Sequence, residues 1–466
     1  MPAPLRVLIP IALLVLVALL PQAASASSSQ TMSYEAPKDL LNPATRESAL
    51  DEIASFGVKS LRVVVYWHDV APSADSRTKP DFDTTDPANY DWSRYDPVLD
   101  AAKARGWSVL LTLSGPVPKW ATASRTDTVT RPDPSEFAQF VTAAARHYAD
   151  RVKTWSIWNE PNQPQFLKPQ YDAAHKPVSP GLYRLLYKAA LKGFTAAKVQ
   201  NPAVLMGETS PMGTGKVVAP LTFLRGALCL SASYKLQKGC GALPTAGYAH
   251  HAYTRKTGPT YVPPGPNNVT IGVLSRLTKA LDRAKQAKAV TRTLPIYLTE
   301  FGIQSTPDPY AGVSYQQQAE FRAISERIAY DNPRVKAFSQ YLLRDDDPLK
   351  GVSALQRYSG FESGLLTATG KAKPALAAFK LTLTARSRGS KASLWGIVRP
   401  ATGVTTATIQ YRNGSSGSFR DLTKVTTNAT GVLRASVAYR KGRQYRLMWT
   451  QPGGTTINGG PIRAYP

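Results

Sequence analysis

The sequence predicts an α/β chain in which a (β/α)8 barrel of TIM type precedes a small C-terminal antiparallel β-sandwich of immunoglobulin type. Between about residues 31 and 380, short apolar or β-branched runs alternate with longer amphipathic stretches, the pattern of repeated β-then-α units. After about residue 383 the helical pattern ends, and short alternating stretches are separated by Gly, Asn and Ser clusters. No Gly-rich phosphate loop follows a strand, which disfavours a doubly wound open sheet.

Eight stretches are predicted as barrel strands, and they are Met32–Glu35, Leu61–Trp67, Ser108–Leu113, Thr154–Trp158, Val204–Gly207, Gly247–His251, Pro295–Thr299 and Ala337–Leu342. Helix signals lie between them. Asp133–Glu136 resembles a capping box with Pro at the first helical position, and Ser314 with Gln317 begins another helix. Gly57 and Gly106 stand where helices are expected to end.

The C-terminal segment shows period-two alternation. Its predicted strands include Thr406–Tyr411, Val432–Val437 and Gln444–Thr450, with a turn cluster at 413–417. We therefore predict a barrel over residues 27–383 and a β-sandwich over residues 384–466.

Composition excludes some classes of protein. The chain has 466 residues, and its 43% hydrophobic and 19% charged content excludes wholesale disorder. The net charge is +26, and residues 384–466 hold 13 Lys or Arg against one acid, Asp421. We expect this segment to bind an anionic wall polymer or acidic polysaccharide, with improved solubility as the alternative. Nucleic-acid binding is disfavoured because the basic residues are scattered.

Residues 1–26 have the features of a secretory signal peptide. Arg6 precedes an apolar run from Leu8 to Leu20, and small residues at 24–26 form a cleavage site. The alternative is an uncleaved membrane anchor, but the run of about 13 apolar residues is shorter than the ~20 that span a bilayer. We expect a secreted, extracellular or wall-associated protein with no stable membrane span after cleavage.

The two cysteines are too few for a disulfide framework. An oxidising compartment would let Cys229 pair with Cys240, and two separate buried thiols are the alternative. No His or Cys stands at metal-ligand spacing around them, so we predict a structural role and no metal.

Two strands end in a carboxylate. The apolar fourth strand leads into Asn159 and Glu160, and the seventh leads into Glu300. Strand ends of one barrel meet at the same mouth, so we expect the two carboxylates to lie close together. Such a pair suits glycoside hydrolysis, in which one carboxyl donates a proton and the other stays ionised. Both chemical roles are then filled by carboxylates, and no cofactor is predicted.

These motifs resemble glycoside hydrolase clan A over roughly residues 31–380. The Trp-Asn-Glu-Pro-Asn run at 158–162, together with residues 116–120, is most like family 39 and less like family 5. The resemblance implies that Glu160 is the acid/base, that Glu300 is the nucleophile, and that Asn159 donates a hydrogen bond to the sugar 2-hydroxyl.

The resemblance also implies supporting residues. Arg62 would pair with the nucleophile and keep it ionised, Tyr253 would hydrogen-bond to Glu300, and His251 would touch the sugar. Trp67 and Trp120 follow strands two and three, where aromatic rings stack on sugars, and packing at the barrel rim is the alternative.

Other charged residues have two interpretations. Glu208 at the end of strand five contacts either the substrate or Arg62, or it forms a structural salt bridge, and the same holds for Glu35 on strand one. The Asp run at 345–347 is expected to lie in a solvated loop, because no cation-ligand spacing accompanies it.

The predicted function is that of a secreted retaining glycosidase acting on β-linkages in an oligo- or polysaccharide. A transglycosidase would use the same residues and differ only in what intercepts the glycosyl-enzyme. A different class is a non-catalytic glycan-binding or wall-adhesion protein on a barrel that has lost activity. Hydrolysis of a small aryl-glycoside panel separates the enzyme from the binder.

Overall fold

A computed structural model describes residues 30–466. The signal peptide predicted at 1–26 lies outside the described residues. No helix among the described residues is long and apolar enough to cross a membrane.

Eight parallel strands close into a barrel in sequential order, with β1 pairing both β2 and β8. All eight strands predicted from the sequence are confirmed, with ends that shift by one or two residues. The strands are β1 (Thr31–Glu35), β2 (Ser60–Tyr66), β3 (Ser108–Ser114), β4 (Thr154–Ile157), β5 (Ala203–Thr209), β6 (Gly247–His250), β7 (Ile296–Leu298) and β8 (Val335–Tyr341).

Helices surround the barrel and begin where capping signals predict. The Asp133 side chain accepts hydrogen bonds from two backbone N–H groups, and Ser314 and Gln317 form a reciprocal capping box. The helices are α1 (Pro37–Leu40), α2 (Arg46–Ser55), α3 (Trp67–Val70), α4 (Asp96–Ala104), α5 (Pro134–Tyr148), α6 (Ser179–Ala196), α7 (Pro220–Ala227), α8 (Ser275–Gln286), α9 (Tyr315–Tyr330) and α10 (Pro374–Lys380).

Strand alternation decides which residues reach the barrel interior. On β2, Leu61, Val63 and Val65 belong to the apolar core that the strands share with the helices. Side chains of successive strand residues point to opposite faces, so Arg62 and Tyr66 point inward. The alternation therefore places the Arg62 guanidinium inside the barrel, where most TIM barrels have branched apolar side chains.

The C-terminal segment forms a mostly antiparallel sheet domain, as predicted. Its sheet order is β12-β11-β14-β16-β9-β10-β13, with β15 beside β14, and one apolar cluster collects side chains from both halves of this order. In the one parallel pairing, β16 runs beside β9. The strands are β9 (Leu381–Arg388), β10 (Lys391–Val398), β11 (Thr406–Asn413), β12 (Arg420–Thr426), β13 (Val432–Ala438), β14 (Arg443–Thr450), β15 (Thr456–Asn458) and β16 (Ile462–Tyr465).

Cys229 and Cys240 form a disulfide, with Cα atoms 6.2 Å apart. The predicted pairing is therefore confirmed in the structure. Both residues lie in the segment between α7 and β6, away from the residues that line the barrel mouth.

A buried ionic cluster joins the sheet domain to the barrel. Glu326 on α9 accepts a hydrogen bond from Arg322 at 2.9 Å and a second from Arg399, which follows β10. Both guanidinium groups also lie 4.2 Å from the Phe379 ring centroid. The single carboxylate thus compensates two buried cations, one from each domain.

Glu326→Ala should lower the free energy of unfolding by about 3–5 kcal/mol, because it leaves two buried guanidinium groups without their carboxylate. Urea unfolding measures the loss. Glu320→Ala on the same helix is the matched control, since within residues 30–466 the Glu320 carboxyl accepts one hydrogen bond, from the Gln316 side chain, and it should change stability by about 0.5 kcal/mol or less. A loss below about 1 kcal/mol for Glu326→Ala would contradict this account of the domain junction.

Candidate active site

A cavity of about 160 Å³ opens at the carboxyl ends of the barrel strands. The carboxyl groups of Glu35, Glu160 and Glu300 all line it. The predicted strand-four and strand-seven carboxylates therefore share one mouth, as the barrel geometry requires. Aromatic side chains form much of the remaining wall, and they are Tyr66, Tyr95, Phe166, Tyr341 and Phe361.

A strained turn at the end of β4 presents Glu160. Trp158 and Glu160 have positive φ angles of 71° and 40°, which are uncommon for residues other than glycine. Neighbouring strands hold this turn, because the Glu160 N–H donates to the Glu208 carbonyl at 3.0 Å and the Asn159 N–H donates to Ser114 Oγ at 2.9 Å. The Asn-Glu pair is thus fixed by β3 and β5 on either side.

His251 lies between the two carboxyl groups and limits their separation. Its Nδ1 is 3.0 Å from Glu160 Oε1 and 3.6 Å from Glu300 Oε2. These two oxygens are therefore separated by no more than the sum of those distances, 6.6 Å. Burial alone would lower the pKa of His251, but the Glu300 and Glu160 carboxyl groups raise it.

The environment of Glu300 favours its ionised form. Tyr253 Oη donates a hydrogen bond to Glu300 Oε1 at 2.7 Å, and Arg62 Nη1 donates to Glu300 Oε2 at 3.1 Å. Burial alone would raise the pKa of Glu300, but His251, Arg62 and the Tyr253 hydrogen bond together hold it below its usual value.

The environment of Glu160 favours its protonated form. Burial raises the pKa of Glu160 and the nearby Glu300 charge adds to this effect, against the hydrogen bonds from His251 and Gln163. The pKa values of the two carboxyl groups are therefore shifted in opposite directions, which assigns an acid and a base or nucleophile to one pocket.

Arg62 connects the carboxyl groups below the cavity. Its Nη1 donates to Glu35 and Glu300, and its Nη2 donates to Asn159 Oδ1 at 2.8 Å and to Glu208 at 2.5 Å. The sequence left Glu208 with two interpretations, and the structure places it fully buried against Arg62, below the cavity. Glu35 also contacts Arg62, but it lines the cavity as well.

The prediction that Trp67 and Trp120 stack on a sugar is wrong in this structure. Trp67 is fully buried, stacks on Phe140 at 5.1 Å and meets Trp120 edge to face at 5.7 Å. Alternation along β2 places Tyr66 on the inward face with Arg62, whereas Trp67 lies with Leu61, Val63 and Val65 in the apolar core outside the strands. The even spacing of residues 62 and 66 in the sequence could have indicated this.

Two further expectations need correction. The His251 side chain is completely buried beneath the carboxyl groups, so it contacts them and not the open cavity. In the Asp run, Asp347 is exposed as expected, but Asp345 is buried and pairs with Lys373 at 2.6 Å. Within residues 30–466, no group of three or more His, Cys, Asp or Glu side chains could hold a metal ion.

Comparison with known proteins points to sugar-cleaving enzymes. The family model described as cellulase (glycosyl hydrolase family 5) matches residues 23–177. No curated protein matches the sequence.

Solved structures resemble the whole two-domain chain. A family 39 glycoside hydrolase from Bacteroides cellulosilyticus WH2 has 17% identity and a TM-score of 0.53, covering 91% of this chain and 81% of its own. The family 39 enzyme from Xanthomonas axonopodis pv. citri has 15% identity and a TM-score of 0.53, with 94% and 96% covered. A monomeric β-xylosidase from Caulobacter crescentus CB15 has 14% identity and a TM-score of 0.53, with 94% and 98% covered.

At these identities the structural likeness establishes the fold, a TIM barrel with a C-terminal sheet domain. The predicted resemblance is thereby confirmed: the chain is similar to the glycoside hydrolases of clan A, most like family 39 and less like family 5.

Proposed function

We propose that this protein is a secreted retaining β-glycosidase. The observation that carries the proposal is the pair Glu160 and Glu300, whose carboxyl oxygens lie 3.0 Å and 3.6 Å from the same imidazole nitrogen and whose pKa values are shifted in opposite directions. The family resemblance supports glycosidase chemistry. The signal-peptide pattern at residues 1–26 supports export.

Double displacement follows from these positions. The ionised Glu300 carboxylate attacks the anomeric carbon while Glu160 gives its proton to the departing glycosidic oxygen, which leaves a glycosyl ester on Glu300. Glu160, now ionised, takes a proton from water, and the resulting attack on the anomeric carbon releases the sugar and frees Glu300. Activity is lost at low pH as Glu300 protonates and at high pH as Glu160 loses its proton.

Asn159 is oriented for a contact with the sugar. Its Oδ1 accepts a hydrogen bond from Arg62, so the amide nitrogen is left to donate toward the cavity that Asn159 lines. A hydrogen bond to the sugar 2-hydroxyl that strengthens in the transition state would lower the activation free energy of glycoside cleavage. Among the solved structures that this chain resembles, one is a β-xylosidase and another is a glucosidase from Croceicoccus marinus, so β-xylosides and glucosides are the first substrates to assay.

The retaining mechanism predicts a carboxyl separation of about 5–5.5 Å between Glu160 and Glu300. The contacts of both residues with His251 Nδ1 are compatible with that value. A crystal structure measures it directly. A separation of about 9 Å would indicate an inverting enzyme, in which a water stands between the two groups.

Substitution should separate the two roles. Glu300→Gln should remove nearly all turnover, because the nucleophile is lost. Glu160→Ala should slow substrates with poor leaving groups by a factor on the order of 10²–10⁴ and affect activated aryl glycosides far less, since a good leaving group needs little proton donation.

Azide gives the control for the Glu160 assignment. Steady-state assays of Glu160→Ala with added azide should regain turnover and form a β-glycosyl azide, because the small anion needs no general base. An equal loss on all substrates without azide rescue would mean that the two roles are wrongly assigned.

We also propose that the sheet domain binds an anionic polymer. The turn after β9 meets the turn after β13, where the Tyr439 N–H donates to the Ser390 carbonyl at 2.8 Å. Four exposed cations flank this contact, and they are Arg388, Lys391, Arg440 and Lys441. Individually such charges attract polyanions weakly, but together they form a patch that salt can screen.

A full-length variant with these four residues changed to Gln should lose retention on polygalacturonate beads. The native chain should bind in about 0.02 M salt and elute by about 1 M salt, where the Debye length falls to about 3 Å. The charge-matched control changes four exposed barrel lysines to Gln, and they are Lys59, Lys188, Lys192 and Lys198. Equal retention of both variants would contradict the patch, and hydrolysis of a small aryl glycoside should be the same in both.

A further inference from the structure

Arg62 serves more carboxyl groups than one guanidinium can neutralise. Glu35, Glu208 and Glu300 all contact it, and each is buried. Three buried carboxylates would outnumber Arg62 and a protonated His251 together, and would leave uncompensated negative charge in a region of low dielectric, which costs several kcal/mol. At least one of these groups is therefore expected to carry a proton.

The hydrogen-bond donors around the three groups are unequal. Glu300 accepts a second hydrogen bond from Tyr253, and Glu208 accepts a second one from Thr112 at 2.9 Å. Among the described residues, Arg62 is the one side chain that donates to the Glu35 carboxyl. Hydrogen-bond donors stabilise the ionised form of a carboxyl group. Because Glu35 has the fewest donors of the three, its protonation costs the least free energy.

Charged and titratable groups face Glu35 from four neighbouring strands. Arg62 and Tyr66 approach from β2, His251 follows β6, Glu300 follows β7 and Tyr341 ends β8. Burial raises the pKa of Glu35 to about 8, although the Arg62 charge opposes the shift.

We propose that Glu35 is a positioning residue that holds a proton in the working enzyme and so leaves the charge of Arg62 to orient the nucleophile. Arg62 Nη1 contacts both Glu35 and Glu300 Oε2, so the two carboxyl groups compete for one donor group. Neutral Glu35 competes weakly. Once Glu35 releases its proton to solvent, its carboxylate draws Nη1 away from Glu300 and adds a negative charge beside it.

The direction of the pH effect follows from the raised pKa. Neutral Glu35 is present below the folded-state pKa and is lost as pH rises through it. Alkaline inactivation should therefore include a Glu35 ionisation in addition to that of Glu160. This inference rests on the proposed glycosidase for its kinetic consequence, but the protonation state itself can be measured without turnover.

Carbon-13 NMR of the native chain labelled at the glutamate carboxyl carbon measures that state. The signal that disappears in Glu35→Asp is assigned to Glu35, and we expect it to titrate near pH 8. Titration near the ordinary value of about 4.3 would overturn the proposal, whether or not the protein cleaves any glycoside.

The kinetic readout is the rate at which a 2-deoxy-2-fluoro glycoside with a dinitrophenyl leaving group traps the nucleophile. This leaving group needs little help from Glu160, so the rate reports on Glu300. Between pH 6 and pH 9 the native rate should fall at least about threefold, and in Glu35→Gln the fall should vanish because the neutral amide cannot ionise. Glu320→Gln on α9, at a residue that does not line the cavity, should keep the native profile. An identical alkaline fall in Glu35→Gln and the native chain would overturn the positioning role.

Discussion

The guanidinium of Arg62 is the group through which the carboxylates of the site are held together. It lies fully buried inside the barrel and reaches carboxyl groups from β1, the end of β5 and the second residue after β7, as well as the Asn159 side chain after β4. A cation in this position keeps Glu300 ionised where burial alone would protonate it. Glu160 has no contact with Arg62, and burial keeps its proton in place. His251 and the Tyr253 hydrogen bond act on Glu300 in the same direction as Arg62, and together these contacts explain why two glutamates in one pocket take different charge states.

The closed barrel makes this arrangement possible. Strand parity directs Arg62 inward from β2, and closure of the sheet brings the ends of β1, β4, β5 and β7 around it. The strained residues Trp158, Glu160 and Glu208 then aim the strand-four carboxyl and its neighbour across the mouth. The sheet domain contributes from outside, because Arg399 completes the ionic cluster of Glu326 on α9. That helix packs against β8 of the barrel and β9 of the sheet domain, so it contacts both parts of the chain.

Much of this fold could be predicted from the amino-acid sequence because parallel barrel strands are buried on both faces and appear as continuous apolar runs. The same runs ended in Asn159-Glu160 and in Glu300, which placed both carboxylates at the mouth. A contact with Arg62 was one of the interpretations left open for Glu208 and Glu35, and the sequence could not decide among them because the outcome depends on which strands face one another across the interior. Trp67 was misplaced because alternation along β2 was not applied to it: residue 67 is an odd number of positions from Arg62 and lies in the apolar core with Leu61, Val63 and Val65. The parallel pairing of β16 with β9 also leaves no local signal, as alternation is the same in both strand directions.

The central claim is that Arg62 and Tyr253 prepare Glu300 to form a covalent bond with the sugar. Mass spectrometry of the native protein after reaction with a 2-deoxy-2-fluoro β-glycoside tests it most directly, because the fluorine slows breakdown of the glycosyl ester. The account predicts a mass increase of one fluorosugar and a single labelled peptide whose modified residue is Glu300. A label on Glu160 or Glu35, or turnover of the parent glycoside without any labelled peptide, would contradict it.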